Sequence, residues 1–294
     1  MMLSYNKTID DFLGDSESRY FGNGYFNTAR TLRNFEHQDT EEGIKFSCIG
    51  ALRLSGLWSQ KGDIVQEPHL SSIDAIELAV ECTRQAFGLL SEGPGFSLDA
   101  IDRICVIAGN EPVKQVLESI AIKGLIKQNP EGNCQLQVSI SNMDAEVTFS
   151  LRRLSRNVMA DSESLVSVEN IFLNRENATT SAIVTPHRAV KDKSWSLATC
   201  FASMAQLGQA LLYELGSMDR ETSSTLWMRR ITINIFSGIP EFCEPQPIYV
   251  KLENARILRV NGEDWRSADV CSWFCNTNIV CKVAHKIVKT EILS

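Results

Sequence analysis

A histidine and an aspartate stand at the start of a long apolar segment, PHLSSIDAIELAVECTRQAFGLL, residues 68–90. His69 precedes its helical pattern, and Asp74 lies in the first turn with Ser72 just before it. An imidazole or a carboxylate can act as a general base, and a carboxylate can also orient a substrate hydroxyl. His69 and Asp74 are therefore candidate catalytic residues, and Ser72 is a candidate substrate-binding residue.

Asp74 also has a purely structural interpretation. Ser71 with an acidic residue three positions later fits a capping box, in which each side chain binds the other residue's backbone N–H. A helical wheel places Asp74 with Glu81 and Gln85, away from the apolar side of the helix. Both interpretations stay open: Asp74 is a helix cap on a solvated face, or a carboxylate in a pocket.

A second polar cluster, TPHRAVKDKSW, precedes another long apolar segment, residues 194–213. His187 is either a third candidate for proton transfer or a histidine of a surface loop. Arg188 and Asp192 are candidate substrate-binding residues. Because aspartate and serine favour the N-cap position, Asp192 or Ser194 is the expected N-cap of the second helix.

Polar side chains form a stripe along this second apolar segment. The stripe consists of Thr199, Ser203, Gln206 and Tyr213, all candidate substrate-binding residues. It either permits close packing against a neighbouring element or lines a ligand tunnel with a few hydrogen-bonding groups. The same polar groups argue against a membrane span, so we expect a helix buried in a soluble protein.

Both clusters lie where a long helix is expected to begin. The first N–H groups of a helix have no partner within the helix, and the helix dipole is positive there. A substrate carbonyl bound at such a point would be polarised, and an oxyanion formed from it would be stabilised. We therefore expect chemistry at the two helix entrances.

The other histidines and the nine cysteines give weaker signals. His37 lies in NFEHQDTEE, whose charges predict a solvated loop. His285 shares a strand face with Cys281 and Val283, which is typical of a satisfied core or edge histidine. The cysteines contain no CxxC pair, so we predict no metal site and interpret them as buried reduced thiols.

Composition and charge limit the kinds of protein that the chain can be. The chain has 294 residues, is 44% apolar and 22% charged, and carries a net charge of −7. It can form one or two globular domains, and its charge offers no basic surface for nucleic acid or an anionic membrane. No signal peptide is evident, so we expect a cytoplasmic protein. The motifs GxxxxGK[ST], HExxH and GxSxG do not occur.

Strand-like segments with alternating apolar residues accompany both helices. The order of one strand, one long helix and several long strands occurs twice. A helix that is apolar around most of its circumference needs a sheet wrapped around it. We therefore predict an α+β double hotdog, with two long central helices each wrapped by a curved antiparallel sheet; a general α+β sandwich is the alternative. The predicted boundaries are 1–42 for an N-terminal extension, 43–160 for the first half and 161–294 for the second.

Residues 8–26, TIDDFLGDSESRYFGNGYF, resemble the N-terminal signature of the avirulence D (AvrD) family of plant-associated bacteria. The shared pattern is Ile-Asp-Asp, an aromatic residue, Leu-Gly, then Arg-aromatic-Phe-Gly and a Gly-aromatic pair. PHLSSIDAIELA and the His-Arg pair at 187–188 also fit. The resemblance covers nearly the whole chain. It implies an enzyme that joins a β-ketoacyl thioester to a ketopentose, giving syringolide-type elicitors.

The resemblance and the residues together predict acyl transfer with condensation. The expected substrates are an acyl thioester of coenzyme A or an acyl carrier protein and a small polyol or ketose. The product would be an acylated signal or elicitor. A β-keto group already makes the α-carbon acidic, so we expect no cofactor. A homodimer is compatible with this prediction.

Two other functions fit the same residues. A hotdog dehydratase or thioesterase acting on acyl thioesters would use the same helix entrances, with histidine and aspartate as the pair. A lipid-binding or effector protein without catalysis would need neither the helix entrances nor the histidine–aspartate pair. Thiol release from a β-ketoacyl thioester, with and without the sugar, separates the three.

Overall fold

Two long helices dominate the helical part of the computed structural model, which describes residues 3–91, 96–151, 159–161, 165–189, 193–216, 220, 223, 226–236 and 239–287. The helices are α1 (Asp10–Leu13), α2 (Ser72–Leu90) and α3 (Leu197–Gly216). Single 3-10 turns occupy Ser16–Ser18, Gly24–Asn27 and Leu98–Ala100. Helices α2 and α3 lie where the two apolar segments predicted them, although α3 begins three residues later than Ser194.

The remaining elements are strands. Those up to the first long helix are β1 (Leu3–Thr8), β2 (Thr28–Thr40), β3 (Gly43–Leu54), β4 (Gln60–Lys61) and β5 (Ile64–Val65). Between the long helices lie β6 (Ile101–Ile107), β7 (Ile120–Gln128), β8 (Asn133–Ile140), β9 (Met143–Ser150), β10 (Met159–Asp161), β11 (Val166–Asn174), β12 (Thr179–Pro186) and β13 (Lys193–Trp195). After α3 come β14 (Trp227–Ile235), β15 (Gln246–Val260), β16 (Glu263–Phe274) and β17 (Thr277–Lys286).

One large antiparallel sheet joins most of these strands. Its order is β1-β11-β12-β15-β16-β17-β14-β6-β9-β8-β7-β3-β2. The sheet contains two sets of six strands with the same spatial order, β2-β3-β7-β8-β9-β6 and β11-β12-β15-β16-β17-β14. In each set the long helix follows the second strand along the chain. The two sets meet where β6 pairs with β14, with Ile107 opposite Arg230.

Each long helix packs against strands of its own set. Helix α2 contacts β2, β6, β8 and β9, whereas α3 contacts β11, β12, β15 and β16. The two helices also contact each other. Helix α3 is buried around nearly its whole circumference, with Cys200, Phe201 and Leu207 fully shielded from solvent. A long helix packed on a large antiparallel sheet gives the chain a hotdog-like α+β fold.

The polar stretch before residue 43 is part of the sheet. Strand β1 pairs with β11 at one edge, and β2 pairs with β3 at the other. The prediction of a loop around His37 is therefore wrong, because His37 lies in β2 opposite Phe46, although it is exposed as expected. An edge strand with one solvated face needs few apolar residues, so its sequence shows weak alternation.

Within the described residues, none of the helices has the length and apolar character needed to cross a membrane. Thr199, Ser203 and Gln206 of α3 are instead buried in the protein interior.

Candidate active site

A cavity of about 410 Å³ opens at the N-terminus of α2. Small-molecule sites are commonly this large or larger. Its wall combines residues before α2, the later turns of α3 and the start of β14. The lining includes Tyr20, Phe21, Trp58, His69, Ser71, Ser72, Met143, Gln209, Tyr213, Trp227 and Met228. The candidates His69, Ser72 and Tyr213 are thereby brought to one place.

The N-terminal signature forms one wall of this cavity. Gly22 and Gly24 let the segment fold tightly, because a Cβ at Gly24 would lie 2.0 Å from the carbonyl oxygen of Trp58 and one at Gly22 would lie 2.3 Å from that of Ser16. This packing sets Tyr20 against Trp58, with ring centroids 4.6 Å apart. The glycine and aromatic pattern of the signature therefore shapes the cavity, which its spacing alone did not predict.

His69 faces the cavity in a form suited to accept a proton. Its Nδ1 lies 3.2 Å from the carbonyl oxygen of Glu67, and its ring contacts that of Trp58 at a centroid distance of 4.5 Å. Because a carbonyl oxygen only accepts hydrogen bonds, Nδ1 carries the proton and neutral His69 keeps a lone pair on Nε2. Burial lowers the pKa of His69 below the ordinary histidine value, which favours this neutral form at pH 7.

Asp74 is a helix cap, but it is buried rather than solvated. Asp74 Oδ2 accepts the Ser71 N–H at 2.8 Å, and Ser71 Oγ accepts the Asp74 N–H at 3.1 Å, which completes the predicted capping box. Asp74 Oδ1 pairs with Arg30 Nε at 2.7 Å, and the Asp74 side chain is 1% exposed. The wheel-based prediction of a solvent-facing carboxylate is wrong, because Arg30 of β2 covers that side of the helix.

A continuous polar network links this ion pair to the cavity. The Tyr20 hydroxyl makes a short hydrogen bond with Ser71 Oγ, and burial raises the pKa of Tyr20 well above its usual range. Arg30 also donates to the backbone oxygens of Thr28 and Tyr25, at 3.0 and 3.1 Å. Since Asp74 uses one oxygen for Arg30 and the other for Ser71, it orients the start of α2.

The entrance of α2 presents N–H groups with no acceptor inside the helix. The first intrahelical bond runs from Ala75 N–H to Ser71 O at 3.1 Å, and the Asp74 N–H donates to the capping oxygen, Ser71 Oγ. Ser72 and Ile73 precede both of these donors, so the helix itself provides no acceptor for their N–H groups. Ser72 is one of the residues that line the cavity.

The entrance of α3 is filled by protein groups. Its N-cap is Ser196, whose Oγ accepts the Thr199 N–H at 3.0 Å; the predicted cap at Ser194 is wrong because Lys193–Trp195 form β13. Thr199 Oγ1 also accepts from Ser196 Oγ at 2.8 Å. The partly buried Glu77 carboxylate of α2 lies against the Ala198 N–H, and burial raises the pKa of Glu77.

The polar stripe of α3 mainly holds the N-terminal segment. Tyr25 donates to Thr199 Oγ1 at 3.3 Å, and Arg19 Nη1 donates to Gln206 Oε1 at 2.7 Å. Ser203 is buried, and its hydroxyl has no hydrogen-bond partner among the described residues. Packing against a neighbouring element thus accounts for Thr199 and Gln206, whereas Tyr213 lines the cavity.

The second polar cluster is not part of this cavity. His187 and Arg188 are exposed after β12, and neither lines the cavity at α2. Asp192 lies outside the described residues. His285 is buried at 1% exposure, as expected for a core histidine, and its Nε2 has no protein partner within the described structure.

Metal-ligating side chains do not cluster in the part of the chain that the structure describes: no three His, Cys, Asp or Glu residues are grouped there. All nine cysteines are free thiols, and eight of them are buried.

The family model described as Pseudomonas avirulence D protein (AvrD) matches residues 4–152 and 147–288. The chain belongs to the AvrD family. The AvrD match spans both strand sets and includes the signature that forms the cavity wall. No curated protein sequence matches the chain.

Solved structures with a similar fold are distant from this AvrD chain in sequence. A hot dog fold protein of unknown function from Alicyclobacillus acidocaldarius is 9% identical, with 87% of this chain and 97% of that chain covered and a TM-score of 0.47. The tesB protein of Mycobacterium avium subspecies paratuberculosis is 11% identical (85% and 94% covered, TM-score 0.46). The dehydratase domain of RzxB from Pseudomonas fluorescens is 6% identical (85% and 96% covered, TM-score 0.43).

Proposed function

We propose that the chain is an enzyme built from two hotdog units in tandem, and that it joins a β-ketoacyl thioester to a small hydroxy ketone. The observation that carries this proposal is the cavity at the entrance of α2, which is lined by both His69 and Ser72. Membership of the AvrD family supports the substrates, because the family resemblance implies a β-ketoacyl thioester and a ketopentose.

The first step is acyl transfer to a hydroxyl of the acceptor. The thioester carbonyl oxygen binds at the Ser72 N–H, where the α2 dipole polarises it. His69 Nε2 takes the proton of the acceptor hydroxyl, whose oxygen attacks the carbonyl carbon. The carbonyl oxygen becomes an oxyanion held by the same N–H, so the bound group is stabilised more in the transition state than in the ground state.

Collapse of the tetrahedral intermediate completes the transfer. The carbonyl double bond re-forms, the carbon–sulfur bond breaks, and the leaving thiolate takes the proton that His69 holds. The products are a β-ketoacyl ester of the hydroxy ketone and a free thiol. His69 returns to its neutral form, ready for another cycle.

The second step is a condensation within the new ester. The carbon between the two carbonyl groups is acidic and loses a proton to a base. It then forms a carbon–carbon bond to the ketone carbon of the acceptor, whose oxygen takes up a proton, and a ring closes. Both reacting groups are now in one molecule, so the step gains from proximity.

Asp74 acts in this proposal as a positioning residue. Its contacts with Ser71 and Arg30 fix the first turn of α2 and with it the direction of the Ser72 N–H. Tyr20 and Trp58 give the apolar wall along which the acyl chain lies.

Thiol release tests the proposal. The protein is incubated with a β-ketoacyl thioester, with and without xylulose, and both free thiol and product mass are followed. We expect thiol release only with xylulose, and a product that contains both the acyl group and the sugar. Thiol release at the same rate without xylulose would instead identify a thioesterase, and thioester binding without any release would identify a binding protein.

A further inference from the structure

A row of aromatic side chains crosses five strands of the second strand set and its edge strand β1. Tyr5 lies opposite Phe172 across β1 and β11, with ring centroids 5.1 Å apart. Tyr249 lies opposite Trp273 across β15 and β16, with ring centroids 5.9 Å apart. Ser181 of β12 lies between the two pairs, opposite both Phe172 and Tyr249. These five residues form one continuous row perpendicular to the strands.

The row faces solvent on the side of the sheet away from α3. Its four aromatic residues are between 41% and 55% exposed, whereas their neighbours along the strands, such as Ile171, Ala182 and Ile248, are buried. Successive side chains of a strand point to opposite faces of a sheet. Since α3 packs on these strands, the buried neighbours face the helix and the row faces outward.

A groove of about 650 Å³ lies along this row. Because Ser181 has a small side chain, it forms a recess between Phe172 and the Tyr249–Trp273 pair. The ring of Phe236, which is 64% exposed, also borders the groove. We call the row and Phe236 the aromatic face. It combines a recess with exposed rings, as a surface must to fit against a copy of itself.

The groove on the aromatic face is uncharged: none of the described residues that line it is acidic or basic. A groove on the first strand set is lined instead by Lys45, Lys123, Asp144, Glu146 and Arg230. Two copies of a chain with a net charge of −7 repel each other, but on an uncharged face no like charges are opposed. The cores of protein interfaces are also poor in charged residues and rich in tyrosine, tryptophan and phenylalanine.

The area of the aromatic face is sufficient for an interface core. Five rings that are each about half exposed leave on the order of 500 Å² of aromatic surface in solvent. The largest apolar patch of a monomer is commonly about 300–600 Å², and a standard interface buries about 800 Å² per partner. We propose that the aromatic face binds the same face of a second copy of the chain. The two sheets then pack face to face about a two-fold axis.

This interface is separate from the candidate active site. Among the described residues, none lines both the groove on the aromatic face and the cavity at α2. The proposal therefore goes beyond the proposed reaction and does not depend on it.

Sedimentation velocity between about 1 and 100 µM protein tests the dimer. We expect the wild type to be dimeric in this range, and Trp273→Ser to weaken dimerisation by about 100-fold or more, because an aromatic hot-spot residue occurs twice in a two-fold interface. Gln137→Ser changes an exposed residue of β8 in the first strand set, so this control should remain dimeric. A wild type that is monomeric throughout the range overturns the proposal, as does a dimer that Trp273→Ser leaves intact.

Ser181→Trp separates a specific fit from a generally adhesive surface. The new ring fills the recess while it adds apolar area, so a two-fold fit predicts dimerisation weaker by about tenfold or more. Gln137→Trp places the same side chain on the first strand set and should leave the dimer unchanged. Thermal melting followed by circular dichroism checks that each variant folds, and if Trp273→Ser does not fold, Ser181→Trp decides.

Two further outcomes contradict the proposed interface. Association of Ser181→Trp that equals or exceeds that of the wild type would show that the recess does not receive a second copy. A monomeric wild type that co-sediments with phosphatidylcholine vesicles would assign the aromatic face to a membrane surface instead.

Discussion

The two long helices begin in different surroundings, although each follows the second strand of its set. At the start of α2, Ser72 and His69 both line the cavity. At the start of α3 the Ser196 hydroxyl oxygen accepts a hydrogen bond from the Thr199 N–H, and the carboxylate of Glu77 of α2 lies against the Ala198 N–H. A helix N-terminus favours negative charge in both places. The entrance of α2 lies at a cavity, whereas the entrance of α3 lies against a carboxylate of the protein itself.

The difference teaches how a repeated architecture can be specialised. Glu77 lies on α2, so the first helix stabilises the start of the second. The N-terminal segment contributes to both regions, with Tyr20 at the cavity and Tyr25 bonded to Thr199. One entrance thus has a structural role and the other has groups suited to catalysis.

Replacement of His69 should have the largest effect on activity. We expect His69→Gln to reduce thiol release by about 100- to 10,000-fold, because a positioned general base contributes that much. Because burial lowers its pKa, kcat/KM of the wild type should fall only as the pH decreases below about 6.5. His187→Gln, which changes the exposed histidine near the other entrance, is the control and should retain activity. A large loss in that variant instead would move the base to the second entrance.

Removal of the Ser72 N–H tests the polarising donor at α2. Ser72→Pro deletes this group at the first helical position, where proline is well tolerated, and Ser71 already has the extended backbone (φ −93°, ψ 169°) that proline requires. We expect thiol release to fall by about 100- to 1,000-fold with little change in the melting temperature. Ser72→Ala keeps the N–H and should stay within a few-fold of the wild type. If both variants are equally active, the entrance of α2 does not bind the thioester carbonyl.

Asp74→Asn should act mainly on stability. Removal of one charge from a buried ion pair destabilises proteins by about 3–5 kcal/mol, which exceeds the roughly 1 kcal/mol of a lost cap. Chemical denaturation measures this change, and the double variant Asp74→Asn/Arg30→Leu should recover part of it. A decrease of only about 1 kcal/mol would show that Asp74 is a cap and that its pairing with Arg30 contributes little.

Glu77→Gln should have the smallest effect, confined to the pH dependence of stability. The pKa of Glu77 is raised above 4.5 in the folded protein, so the folded state binds more protons than the unfolded state in that pH range. The free energy of unfolding therefore falls as the pH rises through this range, by at most about 1.4 kcal/mol per pH unit. The glutamine variant should lack this slope and keep its activity. An unchanged slope, or a loss of thiol release, would contradict the separation of roles.

Several parts of the structure followed from the sequence. The apolar periodicity predicted both long helices, and the Ser71–Asp74 spacing predicted the capping box. The position of Arg30 could not be predicted, because it reaches Asp74 from an edge strand 44 residues earlier whose polar sequence shows little alternation. The N-cap of α3 was misplaced because the residues before Ser196 pair as a strand with 159–161 instead of continuing the helix.

The cavity depended most on contacts between distant segments. Its aromatic wall combines Tyr20 and Trp58, and its four lysine and arginine residues (Arg19, Lys61, Lys114 and Arg220) come from four separate parts of the chain. The family signature contained Arg19, Tyr20 and the two close-packed glycines, so it marked the wall without showing what the wall encloses. Only the pairing of both chain halves in one sheet brings these segments to the start of α2.

A crystal structure with a non-hydrolysable β-ketoacyl thioester analogue would show at which helix entrance the thioester binds. We expect the carbonyl oxygen of the analogue to lie about 3 Å from Ser72 N, with the acyl chain beside Tyr20 and Trp58. A carbonyl oxygen bound at the start of α3, beside Ser196, would show that the entrance of α2 is not the thioester site.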